Sequence, residues 1–341
     1  MSQTDLEKLA ELLKNPINIA ITSHYNPDGD AVGSSLALYH VLVQSGHDVS
    51  VLFPNRFPAF LNWIEGSDRC LFFDQDRVAV TGILSKADLI FCLDYNAPKR
   101  LGEMGEALKK ATAFKILIDH HPVPELESFS KAFHDTKFSS TSELVYQFLS
   151  QLNLTEKINL QAAESLYTGI ITDTGSLSFS CNRPETYVII ARLIEKGLDA
   201  ERAHRLIYDN FTEGRMRLLG YSIYRKMIVF PEYHTALIPL TISELEEFQY
   251  EQGDTEGLVN YPLSMKTINM SVMMVQRADR IRLSFRSKGD FHVNEIASHY
   301  FAGGGHRNAA GGDSFVSMED TILKIREILP LFTEKLNFEI K

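Results

Sequence analysis

Cysteine is scarce in this chain, and no hydrophobic run is long enough to cross a membrane. The 341 residues include three cysteines, Cys70, Cys92 and Cys181, which lie far apart and in or beside apolar runs. This usage excludes a disulfide scaffold and a cysteine zinc site, and it predicts structural thiols in a reducing compartment. No apolar segment reaches the roughly 18 residues of a spanning helix. Because the N-terminus also lacks a secretory hydrophobic region, we expect a cytoplasmic protein that does not bind a membrane.

Basic residues are also fewer than acidic residues. The chain contains 34 Lys and Arg against 44 Asp and Glu, which gives a net charge of −10. This balance argues against binding to duplex DNA or anionic lipid through bulk charge, so any phosphate binding must be local. With 44% hydrophobic residues the composition is otherwise that of a globular protein. At about 100 to 200 residues per domain, the length favours two domains.

Short apolar runs separated by helix-compatible stretches organise the first half of the chain. Runs that are apolar throughout are typical of strands covered on both faces, so the pattern predicts an α/β domain with a doubly wound, mostly parallel sheet. The runs lie at 17–22, 49–53, 88–93 and 114–118. A helical pattern from about 31 to 45, closed by Gly46, follows the first of them and completes a β-loop-α unit.

The second half changes character. Helical patterns dominate from about 139 to 226, and alternating strands follow at 233–241, 269–276 and 280–286. The pattern therefore predicts a second, smaller α+β domain that helices join to the first. We place the domain boundaries at 1–190, 191–229 for a helical linker, and 230–341.

Aspartate and histidine follow the ends of several predicted strands. They occur in the segments SHYNPDGDAVGSS, CLDYN and LIDHHPVP, and a further aspartate ends the apolar stretch of a helix-like segment, GIITDTGSLSFS. The residues concerned are His24, Asp28, Asp30, Asp94, Asp119, His120, His121 and Asp173. In open α/β sheets the site lies outside the carboxyl ends of the strands, so these segments are expected to meet at one edge. Converging carboxylates repel one another unless divalent cations neutralise them, and the pattern therefore predicts a metal site.

Each segment alone also has a simpler interpretation. HxxxDxD is often a turn with capping carboxylates, and an Asp after a strand is often the N-cap of the next helix. Adjacent histidines are usually partly exposed polar residues. The agreement of the separate segments favours the metal site, and mixed His and Asp ligands suit Mn, Fe, Zn or Mg, with the carboxylate-rich balance favouring Mn or Mg.

A basic strand is predicted near the C-terminus. In RIRLSFRS, strict alternation places Arg280, Arg282, Ser284 and Arg286 on one face and Ile281, Leu283 and Phe285 on the other. The segment 277–288 contains five basic residues and one acid, which would attract an anionic ligand or simply form a solvated face. The glycines Gly303, Gly304 and Gly305 before His306 allow close backbone approach to an anion, as at helix starts, or a tight turn.

The ordered motifs HYNPDGDAVGS, LDYN, IDHHP and TDTG resemble those of the DHH phosphoesterase family, named after the triplet at 119–121. GGGHRNAAGG at 303–312 resembles the signature of the DHH-associated domain. Together these motifs span nearly the whole chain. Its length and the pair SFRSKG and GGGHRNAAGG most resemble the bacterial nanoRNase (oligoribonuclease) and pAp phosphatase branch.

The resemblance implies a role for each motif residue. His24 and Asp28 would bind one metal ion, Asp30, His120 and Asp173 would bind a second, and Asp94 would bridge the two. Asp119 would orient the histidine beside it, and His121 would face the substrate phosphate. Arg286, His306 and Gly303–Gly305 would contact the substrate. A similar role for Arg280 and Arg282 is our own inference from their place on the basic strand face, and pairing with surface acids is the alternative for both.

The function implied is hydrolysis of very short RNA to mononucleotides and of 3′-phosphoadenosine 5′-phosphate (pAp) to AMP. Two divalent metal ions would activate the water, with Mn²⁺ expected and Mg²⁺ or Co²⁺ as alternatives. The competing functions are hydrolysis of linear or cyclic dinucleotides (pApA or c-di-AMP), hydrolysis of pyrophosphate or polyphosphate, and a catalytically silent nucleotide sensor. Expected partners are short single-stranded RNA or small nucleotides and not duplex DNA, and a homodimer remains one option for the assembly.

Overall fold

The computed structural model describes residues 1–338, and the chain divides into two compact units, Met1–Asn210 and Phe211 onward. The segment 191–229, for which we predict a helical linker, is thus shared between the units. Its helices up to Tyr208 belong to the first unit, and the helix that begins at Glu213 belongs to the second. No helix within residues 1–338 is both long and apolar enough to span a membrane.

The first unit contains eight α-helices and six strands in the described part of the chain. The helices are α1 (Gln3–Leu12), α2 (Gly29–Gln44), α3 (Arg77–Lys86), α4 (Met104–Lys110), α5 (Thr141–Gln151), α6 (Leu160–Asp173), α7 (Pro184–Glu195) and α8 (Ala200–Tyr208). The strands are β1 (Asn18–Thr22), β2 (Asp48–Phe53), β3 (Leu71–Phe72), β4 (Leu89–Leu93), β5 (Phe114–Asp119) and β6 (Lys131–His134).

These strands form a parallel sheet in the order β3-β2-β1-β4-β5-β6. Both faces are covered, because Ile19 and Ile21 of β1 pack with α2, α5 and α6, whereas Ala20 packs with α3 and α4. The predicted doubly wound α/β fold and its four apolar strands are confirmed. The short strands β3 and β6 were not predicted, because β3 has only two residues and β6 has polar residues at both ends.

The second unit contains five α-helices and six strands within the described residues. The helices are α9 (Glu213–Tyr221), α10 (Ile242–Glu247), α11 (Val293–Tyr300), α12 (Met318–Ile328) and α13 (Thr333–Leu336). The strands are β7 (Ile228–Phe230), β8 (Thr235–Leu240), β9 (Met270–Gln276), β10 (Ile281–Ser287), β11 (Gly304–His306) and β12 (Ala309–Ser314). Their order is β11-β12-β10-β9-β8-β7, with β8 and β9 parallel and the other pairs antiparallel.

One face of this second sheet packs against helices. Ile281, Leu283 and Phe285 of β10 are buried in a core shared with α11 and α12, which confirms the predicted alternation. The glycine-rich segment, for which we left a helix-start loop and a tight turn open, does not precede a helix. It forms the antiparallel pair β11 and β12 instead. At Gly303 a Cβ would lie 2.0 Å from the carbonyl oxygen of Gly311, so the glycine is required by close strand packing.

Candidate metal and phosphoester site

The candidate site lies where the strand order of the first sheet reverses. From β1 the chain moves outward through β2 and β3, and β4 then returns to the other side of β1. The carboxyl ends of β1 and β4 therefore flank a crevice, the position at which open α/β sheets bind ligands. His24 follows β1 and Asp94 follows β4 directly, and both side chains are buried.

Asp94 lies at the centre of the cluster. Its Oδ2 is 3.4 Å from His24 Nε2, and its Oδ1 is 3.7 Å from His120 Nε2 and 3.6 Å from His121 Nδ1. The residue has φ of 63°, a left-handed conformation that is unfavourable for a residue with a side chain. Its N–H is held by the carbonyl of Ile118 at 3.1 Å, so the turn after β4 directs the carboxylate into the crevice.

Asp28 both caps a helix and faces the cluster. As the N-cap of α2, its Oδ1 accepts hydrogen bonds from the N–H groups of Asp30 and Ala31, each at 3.1 Å. The same oxygen lies 3.8 Å from His24 Nε2. Capping and ligation are therefore compatible for this residue, since a carboxylate has further lone pairs to offer.

Close packing of α2 against α6 brings Asp30 and Asp173 near His120. A Cβ on Gly33 would lie 2.5 Å from the carbonyl oxygen of Ser165, and one on Gly169 would lie 1.8 Å from Ser142 Oγ. Only glycine permits this approach. His120 Nε2 consequently lies 3.3 Å from Asp173 Oδ2 and 4.0 Å from Asp30 Oδ2.

The N-terminus of α5 completes the cluster, and our sequence analysis missed it. The backbone N–H groups of Thr141 and Ser142 donate to the two oxygens of Asp30 at 2.6 and 2.8 Å, and Thr141 Oγ1 donates to Asp94 Oδ1 at 2.9 Å. Helix N-termini carry partial positive charge, which stabilises these carboxylates. The available signal was the cap motif S-x-x-E, in which Ser140 accepts from the N–H of Glu143.

Different groups hold the imidazole rings of His120 and His121. Asp119 Oδ1 lies 2.8 Å from His121 Nδ1, whereas His120 Nδ1 is held by the carbonyl oxygen of Phe138 at 3.2 Å. Asp119 therefore supports the second histidine of the pair through a hydrogen bond. The other oxygen, Asp119 Oδ2, is buried without a hydrogen-bond partner among the described residues.

The site carries more negative charge than its own residues neutralise. Burial and the charges of Asp94 and Asp173 raise the pKa of Asp30, and burial, with Asp94 and Asp28 nearby, raises the pKa of Asp173 to about 6. Burial alone would lower the pKa of the two imidazoles. Asp28 and Asp94 outweigh it and raise the pKa of His24 to about 10, and Asp173 and the other carboxylates raise that of His120 to about 9. Raised pKa values on carboxylates and imidazoles together indicate a pocket with excess negative charge, which cations would neutralise.

The donor set fits divalent metal ions. Ligand atoms of His24, Asp28 and Asp94 all lie within 4.8 Å of one another, and so do those of Asp30, Asp94 and His120. These two sets share Asp94, and their oxygen and imidazole donors suit Mn²⁺, Mg²⁺ or Zn²⁺. Among the described residues around this cluster, no cysteine takes part.

The second unit holds the remaining predicted residues, and they share one sheet. Arg286 is paired with Ala309 across β10 and β12, and His306 is paired with the same Ala309 across β11 and β12. Arg286 and the glycine-rich pair are therefore neighbours. Arg282 lies further along β10, where Asp313 Oδ1 accepts its Nη1 hydrogen bond at 3.2 Å and also lies 3.6 Å from Arg280.

Comparison with known proteins identifies the family. The model of the DHH family, N-terminal domain, matches residues 18–170, and the DHHA1 domain model matches residues 237–328. A bifunctional oligoribonuclease and PAP phosphatase NrnA from Thermus thermophilus is 30% identical over 89% of this chain and 86% of its own length. This chain belongs to the DHH family. It is accordingly a metal-dependent phosphoesterase, a hydrolase that acts on phosphoric esters.

Two further relatives match this DHH-family protein along most of its length. A probable bifunctional oligoribonuclease and PAP phosphatase NrnA from Streptococcus mutans is 27% identical over 91% of this chain and 94% of that protein. The crystal structure of an exopolyphosphatase-related protein from Bacteroides fragilis superposes with a TM-score of 0.94 at 38% identity, covering 99% and 98% of the two chains. The folds of both units therefore match those of a solved structure.

Proposed function

We propose that this DHH-family enzyme hydrolyses very short RNA to mononucleotides and pAp to AMP. The observation that carries the proposal is the match, along nearly the full length of both chains, to relatives named as oligoribonucleases and PAP phosphatases. The carboxylate and imidazole cluster around Asp94 supplies the chemistry that this activity needs.

We assign the metal ligands from the two sets of neighbouring donors. His24 and Asp28 would hold one ion, Asp30, His120 and Asp173 would hold the other, and Asp94 would be shared. We expect Mn²⁺, because carboxylates outnumber imidazoles in the set. When bound, the ions supply activation of a water molecule for in-line attack at phosphorus and neutralise charge on the attacking and leaving oxygens.

The chain's own residues would orient the phosphate. Asp119 fixes the ring of His121 through the contact to Nδ1, so Nε2 is the atom we assign to the substrate phosphate. Thr141 directs Asp94 through its hydroxyl hydrogen bond. A histidine restrained in this way can donate a hydrogen bond to a phosphate oxygen without losing side-chain entropy at the moment of binding.

Substrate contacts beyond the reacting phosphate are assigned to the second unit. Arg286, His306 and Gly303–Gly305 form neighbouring positions on β10, β11 and the residue before β11. Arginine binds phosphate through charge-assisted and often bidentate hydrogen bonds, and glycine allows backbone N–H groups to approach it. Arg282 would contribute less, because Asp313 already shares its charge.

The experiment that tests this proposal measures hydrolysis by the purified protein with Mn²⁺, Mg²⁺ and Co²⁺. The substrates are pAp, pApA, c-di-AMP, a five-nucleotide RNA, pyrophosphate and polyphosphate. Polyphosphate belongs in the panel because the Bacteroides fragilis relative is described as exopolyphosphatase-related. Asp94→Asn, purified in parallel, controls for contaminating nucleases.

We expect AMP from pAp and mononucleotides from the short RNA, with Mn²⁺ the most effective ion. Turnover confined to polyphosphate or pyrophosphate, or to c-di-AMP and pApA, would replace the proposed function. An absence of turnover on every substrate would favour the silent nucleotide sensor.

A further inference from the structure

A cavity of about 250 Å³ lies in the second unit, at the turn that joins β9 to β10. We call it the turn pocket. Its walls include Ile242 and Leu245 of α10, Tyr250, and Gln276 and Arg277 at the end of β9. The Arg277 Nη2 atom donates to Tyr250 Oη at 3.1 Å, and the guanidinium carbon lies 5.4 Å from the ring centroid. An aromatic ring, a guanidinium plane and aliphatic walls are the surroundings in which single-stranded nucleic acids stack their bases.

The turn pocket opens on the basic face of the sheet. Val275 is paired directly with Arg282, and Met273 with Ser284, so these side chains share one face. Met273 and Val275 pack in the same cluster as Leu245, against which Tyr250 also packs. The turn pocket and the arginine side chains of β10 therefore lie on the same side of the second sheet.

The distance along the strands between Arg286 and the turn pocket is too long for a single nucleotide to span. Arg286 is paired with Ser271, and Ile281 with Gln276 beside the turn pocket. At ~3.4 Å per residue, the two positions are about 17 Å apart. Arg282 lies between them and Arg280 lies at the turn. Along β10 and its turn the four arginines Arg277, Arg280, Arg282 and Arg286 are accompanied by two carboxylates, Asp279 and Asp313, which leaves net positive charge. A phosphodiester backbone is the kind of ligand that such a stretch attracts.

The charge at the rim favours a base over a phosphate. The carboxylate of Glu246 lines the turn pocket and would repel a phosphate, whereas it can accept hydrogen bonds from the amino groups of a base. The N–H of Ile242 donates to the side-chain oxygen of Gln276 at 3.3 Å, which restrains the Gln276 amide at the wall.

We propose that the turn pocket binds the base of a nucleotide remote from the scissile bond and so sets the enzyme's preference among short RNAs. The proposal rests on the proposed function, because it assumes that Arg286 contacts the substrate next to the reacting phosphate. It assigns to Tyr250 and Arg277 a role in substrate specificity. A mononucleotide such as pAp has one base and cannot occupy both positions.

The test uses five-nucleotide RNAs in which a single abasic site is moved along the strand. With the wild-type protein, one position other than the reacting nucleotide should show about a tenfold fall in kcat/KM when its base is removed, which is the size of one lost base–aromatic stack. The fall should lie mainly in KM. Tyr250→Ala should lower kcat/KM on the intact RNA by a similar factor and abolish the difference between intact and abasic RNA at that position.

Further variants distinguish a loss of base stacking from a loss of folding. Tyr250→Phe keeps the ring and should retain the discrimination, and Ala278→Trp should fill the turn pocket from its exposed rim and remove the discrimination. Tyr224→Ala, at a tyrosine that is 84% exposed, is the matched control and should behave as the wild type. Equal losses on pAp and on the intact RNA in Tyr250→Ala and Ala278→Trp would indicate a structural role and overturn the proposal.

The outcomes also separate this proposal from the proposed function. If the wild-type protein hydrolyses the RNA and every abasic position gives the same kcat/KM as the intact strand, the turn pocket proposal is wrong while the enzyme's function stands. If the wild-type protein hydrolyses no RNA of any length, both proposals are wrong.

Discussion

Asp94 lies at the centre of the candidate metal site in the first unit. It is buried, it faces three imidazoles, and its backbone lies in the left-handed region. The three histidines hold the pKa of its carboxyl well below its usual range, although burial alone would raise it. Strain of this kind persists where surrounding structure enforces it, and it concentrates at functional sites.

Replacing Asp94 is expected to remove activity without unfolding the protein. Asp94→Asn suits the test because asparagine tolerates the left-handed conformation and keeps the side-chain shape. We expect turnover of pAp with saturating Mn²⁺ to fall at least 1,000-fold, roughly 4 kcal/mol, because a shared metal ligand is lost. Bound metal, measured by mass spectrometry, should fall as well.

Circular dichroism and the exposed-site variant Asp74→Asn are the controls for Asp94→Asn. Both variants should keep the wild-type spectrum, and Asp74→Asn should keep wild-type turnover. More than a tenth of wild-type activity in Asp94→Asn would contradict the assignment of a shared ligand.

Thr141 provides a finer test of the same carboxylate. Its hydroxyl donates to Asp94 Oδ1 at 2.9 Å. Thr141→Val removes the donor at nearly constant volume and should lower kcat for pAp by about tenfold, since one hydrogen bond to a charged group is worth roughly 1.5 to 3 kcal/mol. Thr141→Ser keeps the hydroxyl and should retain most of the activity. Equal activities of the two variants would show that the hydrogen bond does not position Asp94.

At the scale of the element, two helices make the site possible by approaching closely. Gly29 and Gly33 of α2 face α6, and Gly169 of α6 faces both Ser142 and Asp30. Any Cβ at these positions would overlap neighbouring atoms, including backbone atoms that cannot rotate away. The glycines of the HYNPDGDAVGS motif therefore serve helix packing, and the packing places Asp30 and Asp173 beside His120.

Gly33→Ala is expected to destabilise the first unit. The added Cβ would lie 2.5 Å from the Ser165 carbonyl oxygen and 2.8 Å from the Gly169 nitrogen. We expect the free energy of unfolding in urea to fall by about 2 kcal/mol, the middle of the range for overpacking. Gly82→Ala is the control, because a Cβ there meets no atom of the described residues within 4 Å, and it should raise stability by about 0.5 to 1 kcal/mol. A Gly33→Ala protein as stable as the wild type would show that the two helices can separate.

The capping box of α10 predicts a pH dependence of stability. Glu244 accepts hydrogen bonds from Tyr221 at 2.7 Å and from the Thr241 N–H at 2.8 Å, and it lies 2.7 Å from Lys226 Nζ. Burial raises the pKa of Glu244, but Lys226 and these hydrogen bonds lower it more, to about 2. Since the folded-state pKa lies below the unfolded value, the stabilisation is present above about pH 4.5 and is lost as the pH falls towards 2.

Urea unfolding of the wild type and Glu244→Gln between pH 6 and pH 2.5 measures this contribution. The wild type should lose about 1 kcal/mol more stability over this interval, a reduced value because solvent screens part of the interaction. Parallel pH profiles for the two proteins would rule out the contribution.

At the scale of the whole molecule, charge distribution limits the substrate. The chain has a net charge of −10, and the strand and turn at 277–288 form a local basic segment with five basic residues and one acid. A long single strand requires a continuous basic groove to follow its backbone. A short substrate needs phosphate contacts only near the reaction.

We therefore expect kcat/KM to fall steeply between a five-nucleotide and a 24-nucleotide RNA, with duplex DNA not hydrolysed. Both RNAs are compared at one salt concentration and again at a higher one, because phosphate contacts weaken with salt. The pAp reaction provides the reference for metal loading. Equal or faster turnover of the 24-nucleotide RNA would indicate a processive single-strand exonuclease instead.

The amino-acid sequence by itself determined the local features of this protein. Continuous apolar runs determined β1, β2, β4 and β5, because strands covered on both faces have no polar face to display. Alternation determined which side chains of β10 are buried. Because sites in open α/β sheets lie at the carboxyl ends of parallel strands, the positions of the aspartates and histidines along the chain were enough to place them near one another.

Tertiary structure decided what depends on contacts between distant segments. The N-terminus of α5 meets Asp30 across 111 residues, Asp119 holds the ring of His121, and Asp313 is shared by two arginines. The glycine-rich segment forms strands because β10 offers hydrogen bonds to it, although glycine has little intrinsic preference for strands. Such pairings are selected by packing and hydrogen bonding over the whole fold, and local sequence patterns do not predict them.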